Sequence, residues 1–277
     1  MHFFLIAFLL LTSCSDTKLK PDGLKTKKIF LVAGQSNAQG HGDYQESPNL
    51  EQYPVYEFDA NISDIKKLKD PVGANGCYFE PAQSGSAWPS FAEQYHQLTG
   101  DTLIIVQAAK GGSSCHPLAE TNGWGNWDPS SNLFACSVNK TKLAEDKLNT
   151  KLAGIIWSQG ENDADAINKG IISASQYKQS LTKLINNYRA MFGSNLKFYI
   201  IQTGYHTASA PEGFTAVQQI QQEVADEDTN TFVVYDKTKD FIKLGWMKDV
   251  VHYNQNGLND IGRITAAEIV KIESSAN

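Results

Sequence analysis

Five short apolar segments alternate with amphipathic segments along this chain, and this alternation restricts its fold more than any other feature. The apolar segments are rich in Ile, Val, Phe and Tyr and have the length of strands; they span residues 28–33, 102–108, 152–158, 196–203 and 231–235. The amphipathic segments carry apolar residues at helical spacing; they span 89–98, 138–148, 175–192, 211–225 and 255–272. Strands that are apolar throughout are typical of a parallel sheet covered by helices on both faces. We therefore predict one doubly wound α/β domain with a five-stranded parallel sheet.

The beginning of the chain has a different character. Residues 3–11 form an apolar run that is too short to cross a bilayer, which takes about 20 residues, but is typical of a secretory signal. The next residues, Leu11-Thr12-Ser13-Cys14, resemble a bacterial lipobox, in which the cysteine receives lipid. We expect a lipoprotein signal peptide at 1–13, a tether at 14–26 and a folded domain at 27–277. The protein would then be exported and anchored through Cys14 in a bacterial envelope, facing the periplasm or the cell surface; a plain signal peptide with an incidental cysteine is the alternative.

Charge and cysteine content exclude some partners and permit a disulfide. The net charge of −6 argues against a nucleic-acid partner, because phosphate binding requires clustered Lys and Arg. An exported compartment permits disulfides, and a bridge between Cys115 and Cys136 would stabilise the loop between them by about 3 kcal/mol, leaving Cys77 over. No Cys-x-x-Cys or His-x-x-x-His spacing indicates a metal site, and we expect neither a metal nor a cofactor.

Polar, mostly glycine-containing clusters follow the first four predicted strands. They are residues 34–37 (GQSN), 111–114 (GGSS), 158–161 (SQGE) and 204–206 (GYH). The carboxyl ends of parallel strands meet at one edge of a sheet, and ligands bind there. Any one cluster could be an ordinary turn, but four at the same edge predict a functional site.

The first cluster offers a candidate nucleophile in Ser36. A serine hydroxyl is a poor nucleophile until an imidazole takes its proton, and that imidazole needs a carboxylate to orient it. Of the six histidines, His252 stands apart because Asp249 precedes it by three residues and can reach its Nδ1. By its spacing alone, this pair is more often a capping aspartate beside an unrelated histidine. The pair follows the last predicted strand, however, and this position favours a catalytic base with its supporting acid.

Acyl transfer also requires groups that stabilise the developing negative charge on the carbonyl oxygen. Each preorganised hydrogen-bond donor there is worth about 10²–10³ in rate. The backbone N–H of Ser36, an N–H from Gly111 or Gly112, and the side-chain amide of Gln159 are the candidate donors. Glycine permits close approach of the backbone, although a simple turn would also explain the pair.

Taken together, four motifs resemble the sialate O-acetylesterase and acetyl-xylan esterase branch of the SGNH hydrolases. They are residues 34–37, residues 111–114, residues 157–164 (WSQGENDA) and Asp249-x-x-His252, which occur in the family's order and span 29 to about 270. The resemblance implies a flavodoxin-like SGNH hydrolase domain and a metal-independent serine esterase that removes acetyl groups from carbohydrate. It assigns Ser36 as nucleophile, His252 as base and Asp249 as its support. It also makes Ser36, Gly112 and Gln159 the oxyanion donors.

This sequence departs from the family pattern at three positions near these motifs. Ala38 replaces the methionine that is common after GQSN, and Ser113 replaces the threonine of the typical GGT. Val250 stands where glycine is frequent, and its bulk would alter the path of the loop that carries His252.

Further residues are candidates for substrate contact or for support of the site; they are Gln35, Asn37, Gly111, Glu161, Asp163, His206, Trp124 and Trp127. Glu161 and Asp163 could orient the loop that carries Gln159, contact sugar hydroxyls, or compete with Asp249 as the acid; a structural role is favoured for Glu161. Flat aromatic faces suit sugar rings, so residues 123–132 are predicted to form a glycan-facing wall, with Trp88 also near the edge. Core packing explains these tryptophans equally well.

The sequence therefore predicts an exported, lipid-anchored carbohydrate O-acetylesterase acting on acetylated xylan or sialic acid type substrates. Two alternatives stay open. One is a non-catalytic glycan-binding lipoprotein on an esterase scaffold, and the other is a lipase or thioesterase of the wider SGNH group. The sugar and the oligomeric state are left open, and the expected partners are an acetylated carbohydrate and the membrane.

Overall fold

The computed structural model describes residues 26–275. Strands and helices alternate through most of this part of the chain. The strands are β1 (Lys27–Gly34), β2 (Val55–Asp59), β3 (Asp64–Lys67), β4 (Thr102–Ala109), β5 (Leu152–Ser158), β6 (Lys197–Ile201) and β7 (Thr231–Tyr235). The α-helices are α1 (Ser36–Gln39), α2 (Trp88–Thr99), α3 (Asn132–Leu148), α4 (Glu161–Asn168), α5 (Ala174–Phe192), α6 (Pro211–Asp226), α7 (Phe241–Leu244) and α8 (Gln255–Ser275).

The predicted lipid attachment site Cys14, the signal segment 1–13 and nearly all of the tether lie outside the described residues. Within residues 26–275, every helix is too short or too polar to pass through a lipid bilayer.

The strands form one seven-stranded mixed sheet in the order β3-β2-β4-β1-β5-β6-β7. The prediction of an α/β domain is confirmed, but the prediction of a wholly parallel sheet of five strands is wrong. The five predicted strands lie side by side and run parallel. β2 then pairs with β4 in parallel, and β3 pairs with β2 in antiparallel orientation at the edge. Their sequences, VYEFD and DIKK, contain charged residues and lack the continuous apolar run by which the other strands are recognised. Charged residues are common on an edge strand such as β3.

The central strand β1 is apolar throughout because both of its faces are covered. Ile29, Leu31 and Ala33 pack into one hydrophobic cluster with residues from α3, α5 and α6. Phe30 and Val32 point to the opposite face, into a second cluster with residues from α2, α7 and α8. The alternation of side chains along a strand therefore divides the core into two layers, as expected for a doubly wound domain.

The disulfide joins Cys77 to Cys136, with their Cα atoms 5.9 Å apart. The predicted pairing of Cys115 with Cys136 is therefore wrong, and Cys115 is a buried free thiol. Cys136 lies on α3, which begins at Asn132, so the segment after Cys115 is less irregular than its Gly- and Asn-rich sequence indicates. The bridge instead ties α3 to the long connection between β3 and α2.

Candidate active site

A cavity of about 460 Å³ lies at the carboxyl edge of the sheet, next to the central strand. Ser36 borders it at the start of α1, where the chain leaves β1. Gly111 and Gly112 border it after β4, and His206 does so after β6. Strands β2 to β4 lie on one side of β1, and strands β5 to β7 lie on the other, so the strand order reverses at β1. Open α/β sheets bind ligands at such a point. The predicted polar clusters are therefore brought together around one cavity.

His252 borders the same cavity from the loop that precedes α8. Its Nδ1 lies 2.7 Å from Oδ2 of Asp249, and the other carboxylate oxygen accepts the N–H groups of Val251 (2.9 Å) and His252 (2.8 Å). Burial acts to raise the pKa of Asp249, but these N–H groups and the imidazole outweigh it and lower the pKa to about 2. Asp249 is consequently a carboxylate at neutral pH, and Nε2 of His252 is left free of it.

Asn37 connects the Ser36 turn to the His252 loop. Its Nδ2 donates to the carbonyl oxygen of Val251 (3.1 Å), and its Oδ1 accepts the N–H of Tyr253 (3.1 Å). The two residues that flank His252 are thus both bound by one side chain. Nδ2 of Asn37 also donates to Oε1 of Glu161 at 2.7 Å.

Glu161 is buried at the start of α4, and burial raises the pKa of its carboxyl although the hydrogen bond from Asn37 opposes this. Its Oε1 holds Asn37, and its Oε2 has no hydrogen-bond partner among the described residues. Nδ1 of His252 is hydrogen-bonded to Asp249 and not to Glu161. The geometry therefore gives Glu161 a supporting position behind Asn37.

Gln159 is buried in the wall of the site and does not border the cavity. Its Nε2 donates to three oxygen atoms, those of Asp163 Oδ2 (2.5 Å), Gln35 Oε1 (3.2 Å) and the Ser113 carbonyl (3.4 Å). The amide N–H groups are therefore engaged inside the protein. This corrects the expectation that the Gln159 amide is free to donate to an oxyanion.

Asp163 is the residue that holds Gln159 in this position. It is fully buried on α4, and its carboxylate also accepts the N–H groups of Cys115 and His116, both at 2.8 Å. Burial raises the pKa of Asp163 to about 6, against the effect of these donors. Asp163 thereby fastens the loop after β4 to α4 and lies away from the cavity.

The backbone N–H groups of Ser36, Gly111 and Gly112 belong to residues that border the cavity. None of the three is hydrogen-bonded to another group among the described residues. Gly112 has φ +71°, and a Cβ there would lie 2.0 Å from Cε3 of Trp124, so only glycine fits. Asn162, which sequence reasoning did not single out, borders the cavity and donates to the Gly112 carbonyl oxygen.

His41 is a second residue that the motifs do not reveal. Its ring stacks on His252, with the centroids 3.8 Å apart and the planes 5° from parallel. Its carbonyl oxygen accepts Nζ of Lys248 at 2.5 Å. Burial, with smaller contributions from His252 and Lys248, lowers the pKa of His41 to about 4, so its ring is neutral at pH 7. Only its short distance from Ser36 along the chain could have indicated this position.

Of the three tryptophans predicted near the sugar-facing edge, one borders the cavity and two are buried. Trp124 is 44% exposed and borders the cavity, and its contact with a sugar stays a prediction. Trp127 is fully buried, donates from Nε1 to Ser113 Oγ (3.0 Å) and packs against Trp157, so its predicted role at the sugar-facing surface is wrong. Trp88 is also buried, and its Nε1 donates to the Ala38 carbonyl oxygen.

No group of His, Cys, Asp and Glu side chains within residues 26–275 is arranged to hold a metal ion. The residues around the cavity are instead a serine, a histidine with its carboxylate and unpaired backbone N–H groups. This set can support nucleophilic attack, proton transfer and stabilisation of an oxyanion.

Several solved structures share this fold at low sequence identity. A protein from Arabidopsis thaliana has a TM-score of 0.68 and 17% identity, over 90% of this chain and 99% of that chain. NanS has a TM-score of 0.63 and 16% identity, over 91% and 98%. A carbohydrate acetylesterase from Xanthomonas citri has a TM-score of 0.59 and 17% identity, over 86% of this chain and 54% of that chain. At these identities the likeness shows a shared fold.

The sequence itself carries a family relationship. No curated protein sequence matches the chain. The model of one family, described as carbohydrate esterase, sialic acid-specific acetylesterase, matches residues 26–271. The match covers the sheet, the cavity and all four motifs. It confirms the resemblance predicted from those motifs and the carbohydrate O-acetylesterase that it implied: the chain belongs to the family of carbohydrate esterases described as sialic acid-specific acetylesterases.

Proposed function

We propose that this protein removes O-acetyl groups from carbohydrates with Ser36 as nucleophile, His252 as general base and Asp249 as the acid that supports the base. The observation that carries the proposal is that Ser36 and His252 border one cavity while Asp249 lies 2.7 Å from His252 Nδ1. Membership of a carbohydrate esterase family supports an acetylated carbohydrate as the substrate class. Acetylated xylan and O-acetylated sialic acid are the substrates that the motifs imply.

In the first half of the reaction, Ser36 Oγ attacks the acetyl carbonyl carbon, and its proton passes to Nε2 of His252. Negative charge develops on the carbonyl oxygen, where the free N–H groups of Ser36 and Gly112 donate to it. The bond between the acetyl carbon and the sugar oxygen breaks, and His252 gives its proton to the departing sugar oxygen. The acetyl group is then bound to Ser36.

In the second half, a water molecule gives a proton to His252 and attacks the acetyl carbon on Ser36. The bond to Ser36 Oγ breaks, the proton moves from His252 to Oγ, and acetic acid leaves. Asp249 stabilises the imidazolium form in both halves because its low pKa keeps it ionised over the working pH range. Gln159 and Asp163 hold the loops that shape the cavity.

The Ser36→Ala variant tests this mechanism. We expect kcat for a small acetyl ester to fall by at least about 10⁴-fold, because the nucleophile is lost, with the circular dichroism spectrum unchanged. Acetate release should be measured with 4-nitrophenyl acetate and with a panel that includes acetylated xylan and O-acetylated sialic acids. Unchanged turnover in the variant would exclude the mechanism.

The same assays separate the two alternatives. Faster hydrolysis of octanoyl than of acetyl esters would indicate a lipase or thioesterase. A protein that binds glycans but is not labelled at Ser36 by a fluorophosphonate would be a non-catalytic binding protein.

We also propose that the protein is exported and held at a bacterial membrane by lipid on Cys14. The support for this is the apolar run at 3–11 followed by the lipobox-like residues 11–14.

A further inference from the structure

A second cavity of about 590 Å³ lies beside the first. Glu80, Lys110 and Trp124 border both cavities, so the two meet at these three residues. Ligand sites in proteins commonly measure about 300–1,000 Å³, and each cavity lies within that range. The proposed mechanism uses only the first cavity and gives the second no role.

The walls of the second cavity combine aromatic faces with amide groups. Tyr78 and Trp124 are 59% and 44% exposed, which is unusual for side chains of this size. Asn132 donates from Nδ2 to the Tyr78 hydroxyl oxygen at 3.1 Å, and Asn126 donates to Oε2 of Glu120 at 2.6 Å. A sugar ring has apolar C–H faces and a rim of hydroxyl groups. Exposed rings beside amides and carboxylates match both parts of it.

The second cavity is held in place by covalent and hydrogen-bonded connections. The Cys77–Cys136 disulfide ties the segment next to Tyr78 to α3. On the other side, the carbonyl oxygens of Gly125 and Ser114 accept the N–H groups of Ser114 (3.2 Å) and Trp127 (2.9 Å), respectively. The segment with Trp124 is therefore anchored by the buried Trp127. A preformed wall of this kind loses little conformational entropy when a ligand binds.

The charges around both cavities disfavour an anionic sugar. Lys110 is the one Lys or Arg among the described residues that border them, and its Nζ lies 2.6 Å from Oε1 of Glu80. Glu120 borders the second cavity and Asp165 the first, which adds further negative charge. A sugar that carries a carboxylate would meet no unpaired lysine or arginine there. A neutral sugar avoids this repulsion.

We propose that the second cavity binds the neighbouring unit of a neutral O-acetylated glycan, so that the substrate is an oligosaccharide or polysaccharide and not a free anionic monosaccharide. The acetylated unit lies at Ser36, and the chain continues past Trp124 to Tyr78. This inference rests on the proposed esterase function and narrows its substrate class.

Binding to the Ser36→Ala protein tests the inference without turnover. Isothermal titration calorimetry would compare an O-acetylated xylotriose, an O-acetylated methyl xyloside and O-acetylated N-acetylneuraminic acid. We expect the trisaccharide to bind about tenfold more tightly than either monosaccharide, because it alone reaches the exposed rings. Adding Tyr78→Ala should remove most of that gain. Tyr44→Ala is the matched control, since Tyr44 is 54% exposed and borders neither cavity, and it should keep the gain.

Equal affinity for the trisaccharide and the methyl xyloside would overturn the inference, as would tighter binding of the anionic sugar. Hydrolysis of 4-nitrophenyl acetate by the protein with Ser36 intact distinguishes this failure from failure of the proposed function. An active enzyme with equal affinities would keep the esterase and lose the second sugar site. An inactive protein that prefers the trisaccharide would keep the sugar site and lose the esterase.

Discussion

At the scale of single residues, His252 is held from three directions. Asp249 lies on its Nδ1, Asn37 binds the backbone of both neighbouring residues, and the ring of His41 stacks on its face. A general base must keep its ring within hydrogen-bond reach of the nucleophile, and a surface loop alone would leave it mobile. These contacts therefore restrict the position of His252 although it lies on a loop.

His41 makes the stability of the protein depend on pH. Its pKa is about 4 in the folded protein, against 6.5 for an ordinary histidine, mainly because of burial and with smaller effects of His252 and Lys248, while Asp249 acts in the opposite direction. Between pH 6.5 and 4 the unfolded chain binds a proton at this position that the folded protein does not bind. The free energy of unfolding should therefore fall as pH falls through this window, by about 3 kcal/mol in total.

Urea unfolding of the wild type and of His41→Gln at pH 7, 6, 5 and 4 measures this effect. The wild type should lose about 3 kcal/mol more than the variant across the series, because glutamine does not titrate. Parallel curves for the two proteins would show that burial of His41 does not affect its protonation.

At the scale of elements, Asp163 joins α4 to the loop that follows β4. One carboxylate accepts N–H groups from Cys115 and His116 in that loop and from the side chain of Gln159, which follows β5. The loop also carries Gly112, which borders the cavity and whose N–H has no hydrogen bond among the described residues. The position of a candidate oxyanion donor therefore depends on a buried carboxylate on another element.

The Asp163→Ala variant should lower both stability and activity. The N–H groups of Cys115 and His116 lose their acceptor and Gln159 loses one of three, at a cost of roughly 1–3 kcal/mol for each N–H left unpaired, so we expect a loss of about 2–6 kcal/mol in the free energy of unfolding. A shift of the Gly112 turn should also reduce kcat for a small acetyl ester by about tenfold or more.

Asp226→Ala is a suitable control for this prediction, because Asp226 is exposed at the end of α6 and its carboxylate accepts, among residues 26–275, a hydrogen bond from the nearby Gln222 side chain alone. It should change the free energy of unfolding by less than about 0.5 kcal/mol. If Asp163→Ala were as mild as this control, the loop would be positioned by other contacts.

At the scale of the whole molecule, the two cavities lie on one edge of the sheet, and the proposed lipid anchor precedes β1. If Cys14 carries lipid, labelled palmitate should be incorporated into the wild-type protein in a bacterial host, and the protein should sediment with membranes. Cys14→Ser should lose the label, because the lipid is attached through the thiol that serine lacks. Ser15→Ala should keep it, and an unlabelled wild type would contradict the proposed anchor.

Most of the fold follows from local patterns. The five central strands and five of the helices are readable because continuous apolar runs and helical periodicity each depend on neighbouring residues. Strands β2 and β3 could not be predicted in this way, since their sequences contain charged residues and their pairing with β4 and with each other joins distant parts of the chain. The short helix α4 could not be predicted either, because its sequence is polar and two of its own polar residues, Glu161 and Asp163, are buried in the core.

The candidate active site likewise has some residues that local sequence patterns predict and others that only the folded structure reveals. Ser36, His252 and Asp249 stand out because the spacing of Asp249 and His252 is local and the GQSN cluster follows a recognisable strand. Contacts between distant parts of the chain decide that Cys77 pairs with Cys136 across 59 residues, and that Trp127 is buried while Trp124 faces the cavity. Such contacts also decide that Asp163 occupies the Gln159 amide. The sequence by itself thus determines the layered α/β domain and the family to which it belongs, whereas burial and long-range pairing, which exist only after folding, decide which side chains border the cavity.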